Sequence, residues 1–187
     1  MPLYIEIRLP ERNPDEEVCV MRVKLVSTMF LGWLLSHFAL AQHDLNVSPI
    51  KASFPNKPVM KTSSESTMVG SVTSENYTLA SKDYNLVLST SQLPSMALTF
   101  RSPDALYKDA SEALLREHSG AKQVSYGSTL VGGKSGAEMC FKGCNGDQGK
   151  ARFVLVGEKL VVAEALWKGP ASQAEAERFL NSLALAD

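Results

Sequence analysis

An α+β fold, an antiparallel β-sheet of about six or seven strands with helices packed on its faces, is what the sequence predicts, and three observations predict it. Tyr84, Leu86 and Leu88 alternate with Asn85, Val87 and Ser89, the period-two pattern of a strand with one buried face. Four further strand-like runs, Gln123 to Val131, Ser135 to Lys142, Ala151 to Val156 and Leu160 to Trp167, are joined by links short enough to force antiparallel neighbours. Two stretches with a single apolar helical stripe, one between the strand blocks and one at the end, supply the layer that covers the sheet.

The first 41 residues stand apart from that domain. Met21-Arg22-Val23-Lys24 precedes an apolar run from Leu25 to Leu35, and small residues at Ala39 and Ala41 complete the three-part pattern of a secretory signal at residues 21–41. Cleavage is expected after Ala41, leaving Gln42 as the new N-terminus. A retained membrane anchor would need about 20 predominantly apolar residues, whereas this run is shorter and is broken by Ser27, Thr28, Ser36 and His37. No cysteine follows the cut, so nothing supports a lipid anchor, and no stable membrane insertion is expected after cleavage. Residues 1–20 carry Glu6, Glu11, Asp15, Glu16 and Glu17, the wrong sign for a signal's basic start, so Met21 is the expected translation start. The destination is a periplasmic or secreted one.

Removing 41 of 187 residues leaves 146, enough for one domain with one core. Residues 42–58 hold Pro49, Pro55 and Pro58 and read as an extended lead-in, with Ile50 and Phe54 as its first core contacts. The domain proper is expected over residues 59–187. From Val59 to Leu93 the pattern is strand-like. Ser and Thr dominate 62–74, but Met68, Val69 and Val72 interrupt them, which suits half-exposed or edge strands. Ser102-Pro103-Asp104 opens a helix: Ser caps it, Pro fits the first position and Asp complements the dipole. Leu106, Ala110, Ala113 and Leu114 form its predicted stripe and Gly120 its stop. Turns are expected at Gly132-Gly133, at Asn145-Gly146 with Gly149, and at Gly157-Glu158. A final helix is expected from Ser172, with Glu175 completing a capping box and Ala176, Phe179, Leu180 and Leu183 on one face.

Of the 19 Lys and Arg, four lie in residues 1–41, as do five of the 20 Asp and Glu, so the remainder carries no net charge. An even balance offers no basic footprint for nucleic acid or for anionic lipid.

Cys140-Phe141-Lys142-Gly143-Cys144 is the sharpest local motif, and Cys19 lies in the doubtful leader. In an extended strand these two cysteines would lie about 13 Å apart at ~3.3 Å per residue, while a disulfide needs Cα atoms within about 7 Å. A bond therefore requires the chain to turn at Lys142-Gly143. An oxidising compartment favours a disulfide between Cys140 and Cys144; thiolate metal binding and a redox-active pair are the competing readings. Residues 127–135 nearly match a phosphate loop, but Ser128 stands where its first Gly should be and a strand follows, so a hairpin is expected. His118 falls near the end of the first predicted helix, where a capping role is expected. His43 lies beside the new terminus, where mobility is expected, and with Asp44 and the α-amino group it forms a weak candidate for a divalent cation. No nucleophile elbow, zinc-protease motif or carboxylate pair is present. Tyr77, Tyr84, Phe100, Tyr126, Phe153 and Trp167 are expected mostly in the core, though a concave sheet face lined by a few of them could hold an apolar ligand.

Over roughly residues 50–184 the chain resembles the bacterial, exported members of the PsbP-like fold family. The resemblance is carried by Phe54-Pro55-Asn56-Lys57-Pro58, Tyr84, the helix after Ser102, Gly132-Gly133 with Gly136 and Glu138, Lys159-Leu160-Val161, and Phe179-Leu180-Asn181-Ser182-Leu183. It implies an antiparallel sheet with helices on its faces and a non-catalytic role in binding or in assisting assembly. The cysteine pair lies outside the pattern. The sequence thus points to an exported binding domain with a protein partner or small ligand, no catalytic residue, no cofactor and no metal site. A metal-binding or redox accessory protein using Cys140 and Cys144, or an enzyme whose site the sequence does not display, is the alternative.

Overall fold

The computed structural model describes residues 42–67 and 70–186, and all of them belong to one compact unit. The leader at 1–20 and the signal at 21–41, with Ala39 and Ala41 of the expected cleavage site, lie outside the described residues; Gln42 is described and exposed.

Among the described residues the chain forms β1 (His43–Val47), β2 (Ile50–Phe54), β3 (Val59–Thr67), β4 (Gly70–Ala80), β5 (Tyr84–Gln92), α1 (Ser95–Phe100), α2 (Pro103–Glu117), β6 (Lys122–Val131), β7 (Lys134–Lys142), β8 (Gln148–Val156), β9 (Lys159–Trp167), α3 (Pro170–Asn181) and β10 (Ala184–Leu185). Seven strands form one antiparallel sheet in the order β3-β4-β5-β9-β8-β7-β6, and β1, β2 and β10 form a second, three-stranded one. The β6-to-β9 meander folds back so that β9 pairs with β5. That leaves β3 and β6 as the two edges.

The register sorts the large sheet's side chains onto two faces. Leu86 and Leu88 oppose Ala165 and Ala163, and with Val161, Trp167 and Tyr77 they meet Phe179 and Leu180 of α3 and Ile50 and Phe54 of β2 in one core. Phe54 and Phe179 sit with ring centroids 4.7 Å apart. On the other face Ala137, Met139, Phe141, Ala151 and Phe153 pack under Tyr107 and Leu114 of α2. Burying both faces at the centre accounts for the near-continuous apolar runs of β8 and β9.

Several local expectations are corrected. The lead-in is a β1–β2 hairpin around Ser48-Pro49, a cis peptide bond, and His43 is a strand residue opposite Phe54 rather than a mobile terminus. Asp44 accepts a hydrogen bond from the Ser53 hydroxyl. The stripe of α2 is rotated by about one residue: Tyr107, Ser111 and Leu114 are its buried positions. Tyr107 explains the rotation, because its hydroxyl donates to the Ser135 carbonyl and accepts from the Leu155 N–H, bridging α2 to β7 and β8. Ser102 caps α2 as expected. Helix α3 begins at Pro170, behind Gly169, so Ser172 lies inside the first turn, where its hydroxyl donates to the Lys168 and Gly169 carbonyls. No capping box forms, and Glu175 instead pairs with Arg178. Phe100 and Tyr126 are exposed rather than core.

Candidate functional site

A cavity of about 420 Å³ opens on the α3 face of the sheet, where β7 turns into β8. Two cross-strand rows shape it. Lys122, Lys142, Gln148 and Trp167 lie in register across β6, β7, β8 and β9, and Ser125, Cys140, Lys150 and Ala165 form the next row. Trp167 is almost fully buried and supplies an apolar floor. From α3, Gln173 and Glu177 form the opposite wall, and Val124 of β6 forms the rim. Lys150 Nζ donates to Glu177 Oε1 at 2.7 Å, and Arg152 donates to Glu138 and to the Leu180 carbonyl. These bonds pin α3 over β8, while Lys122 of β6 and Lys142 of β7 stay exposed beside it. A half-buried pair of this kind orients the helix more than it stabilises it.

Cys140 is a free, half-buried thiol in this cavity, and Cys144 is a free, exposed one. In this structure the two stand apart, unbonded. The reason is the ladder: β7 stays paired to β6 and β8 through Lys142, so Cys140 is held in extended backbone. The chain turns only afterwards, closed by the Gly143 N–H on the Asp147 carbonyl. Cys144 lies against Gly120 instead. Among the described residues no three His, Cys, Asp or Glu side chains cluster as metal ligands require.

The rim of the cavity is continuous with β6. This strand pairs only with β7, and its side chains are exposed at most positions. Val124 and Leu130 are each 70% exposed and Tyr126 is 38% exposed. No charged residue occurs from Gln123 to Val131. A bulge between Gln123 and Ser125 disturbs the start of the strand, and the ladder is regular from Ser125 to Val131. Tyr126 lies towards the start of α2: its hydroxyl pKa is raised, chiefly by burial and then by the charge of Asp104 and by Tyr107, so the phenol stays neutral.

On the α2 face, His118 Nε2 meets Glu164 Oε1 at 2.5 Å, and the imidazole stacks on Phe141 with centroids 5.5 Å apart. The hydrogen bond to Glu164 raises the His118 pKa above 6.5, burial opposes the rise, and the charges of Glu164 and Glu117 add to it. His118 is the last residue of α2's hydrogen-bonding, its backbone N–H donating to the Leu114 carbonyl, but the imidazole does not take the capping role expected of it and serves Glu164 of β9 instead. Gly149 makes room for the cluster, because a Cβ there would lie 2.3 Å from the Phe141 ring. No nucleophile stands in this pair, and its chemistry is to lock the end of α2 to the sheet. A charged residue in the apolar run Leu160 to Trp167 was the signal for it, since a buried carboxylate needs a partner. The cavity had no such signal, because its walls come from four strands and a helix.

The sequence matches no family model and no curated relative. The fold defined by this sheet and its helices is PsbP-like. It is similar to the solution structure of cyanobacterial PsbP (CyanoP) from Synechocystis sp. PCC 6803, with a TM-score of 0.52 and 12% identity over 87% of this chain and 99% of that one.

Proposed function

We propose that this chain is an exported, non-catalytic binding domain that engages a protein partner where the cavity meets β6. The observation that carries this reading is the continuity of the two: Val124 is at once the cavity rim and an exposed apolar residue of an uncovered strand. An exposed apolar side chain at the rim of a concavity is a usual mark of an interaction site, and Tyr126 and Leu130 project from the same edge strand on its α2 face. The PsbP-like fold is compatible with such a role, and the charge-balanced body makes nucleic acid an unsuited partner.

Export is supported by the position of β1, which begins at His43, one residue after the expected new terminus at Gln42. Among the described residues no helix is long and apolar enough to cross a membrane. N-terminal sequencing of the protein from its native compartment is expected to start at Gln42, and an intact Met1 or Met21 would overturn export. Affinity capture from that compartment tests the binding reading. A stoichiometric partner retained by the wild type and lost with Val124→Lys is the expected result, and capture of no partner contradicts it.

A further inference from the structure

We infer that β6 takes up an extended peptide segment of the partner as an eighth strand of the large sheet, and that this segment is uncharged along about ten residues with an acidic residue at each end. The inference rests on the binding reading above and names its partner chemistry. An edge strand presents unpaired N–H and C=O groups, and such edges are ordinarily blunted by charge, proline or a bulge. β6 has a bulge only at its start, and between Ser125 and Val131 it carries none of these devices.

Charge sets the partner's ends. Lys122 opens β6, and Lys134 lies opposite Val131 at its far end. Both are exposed and neither makes an ion pair among the described residues. Nine positions of strand separate the two ends, about 30 Å at ~3.3 Å per residue. A segment pairing along this edge therefore has Lys122 of the edge itself beside one end and Lys134, one strand further in on β7, near the other, with no charge on β6 between them. Tyr126 and Leu130 lie on one face, opposite Met139 and Ser135, so apolar or β-branched residues of the segment on that face would make the favourable cross-strand pairs.

A second copy of this chain fits the edge less well. Antiparallel copies could set Tyr126 against Leu130 of the other, but that register carries each Lys122 to the other copy's Gly132-Gly133 turn, beside Lys134. Like charges would gather at both ends, which is destabilising. An acidic-ended segment from another protein reverses that sign.

The probe is a ten-residue peptide, acetylated and amidated, with Glu at each end and Val and Thr alternating between; its twin has Lys at each end. The Glu-ended peptide should bind at least about tenfold more tightly, with a difference that shrinks as salt is raised. It should slow amide exchange in Ser125–Val131 and leave β3 unchanged. Leu130→Lys should weaken binding about tenfold or more, as should Leu130→Asp for the Glu-ended peptide, while Val59→Lys on β3 should not. Equal affinity of the two peptides, protection on β3, unimpaired binding by Leu130→Lys, or a homodimer dissolved by Leu130→Lys would each overturn the inference. The two levels separate cleanly. If the captured partner is lost with Val124→Lys but retained by Leu130→Lys, the binding site stands and strand pairing falls. If the peptide behaves as expected and no partner is captured, pairing stands and the functional reading falls.

Discussion

The two edges of the large sheet are the same kind of element with opposite finishes. β3 places Lys61 just ahead of its run of hydroxyl residues and Glu65 inside it. Its neighbours β4 and β5 carry a polar ladder, with Ser74 against Ser91 and the Ser89 hydroxyl donating to Asn76. β6 has no charge from Gln123 onward and exposes Val124, Tyr126 and Leu130 instead. Charges along an edge discourage a further strand, and their absence permits one. Exposure alone does not tell the edges apart, since Val59 at the start of β3 is 63% exposed; the distribution of charge does.

The largest expected effect breaks both edges at once. Phe153 is fully buried near the middle of the sheet, and Phe153→Ala should cost about 4 kcal/mol, read from urea unfolding. If β3 and β6 belong to one cooperative sheet, their amides should lose exchange protection together. Loss at β6 alone would show that the β6 side is a separate unit.

A smaller effect sharpens the contrast on the β6 side. His118 titrates above 6.5 in the folded protein because Glu164 holds its proton. The stabilisation from this bond is therefore fully present below pH 6.5 and is lost as pH rises through the folded value. His118→Ala should cost about 2 kcal/mol at low pH, less than a fully buried pair because the ring is partly exposed. The difference from wild type should narrow as the pH is raised through that interval. A pH-independent difference in thermal unfolding would assign the loss to packing on Phe141 alone.

The smallest effects concern the exposed positions themselves. Val59→Lys and Leu130→Lys should each change stability by within about 0.5 kcal/mol, since both side chains are largely solvated. Only the β6 substitution should alter binding. Equal and large losses of stability would mean that both edges are ordinary packing surfaces.

The strands and turns were legible because their signals are local. Ile50 and Phe54 both reach full burial, as expected, and so do Leu86 and Leu88. Gly132, Gly133, Gly146 and Gly157 all take positive φ at the expected turns. Gly149, expected in a turn, lies in β8, where its missing side chain admits the Phe141 ring. Helix α1 gave no signal, having no side-chain cap and no acid in its first turn. The capping box failed because Gly169-Pro170 starts α3 earlier. Cys140 and Cys144 stand apart as free thiols because the β7 ladder continues through Lys142, the end that the strand pattern gives it. The candidate site was the least legible part, since the contrast between β3 and β6 has meaning only once the strand order shows which strands are edges.

Photo-cross-linking in the native compartment tests the central claim most directly, with a photoreactive phenylalanine analogue placed at position 124 in one sample and at position 59 in another. The account predicts a discrete adduct to one partner from position 124 and none from position 59. The same adduct from both, or one from position 59 alone, would contradict it.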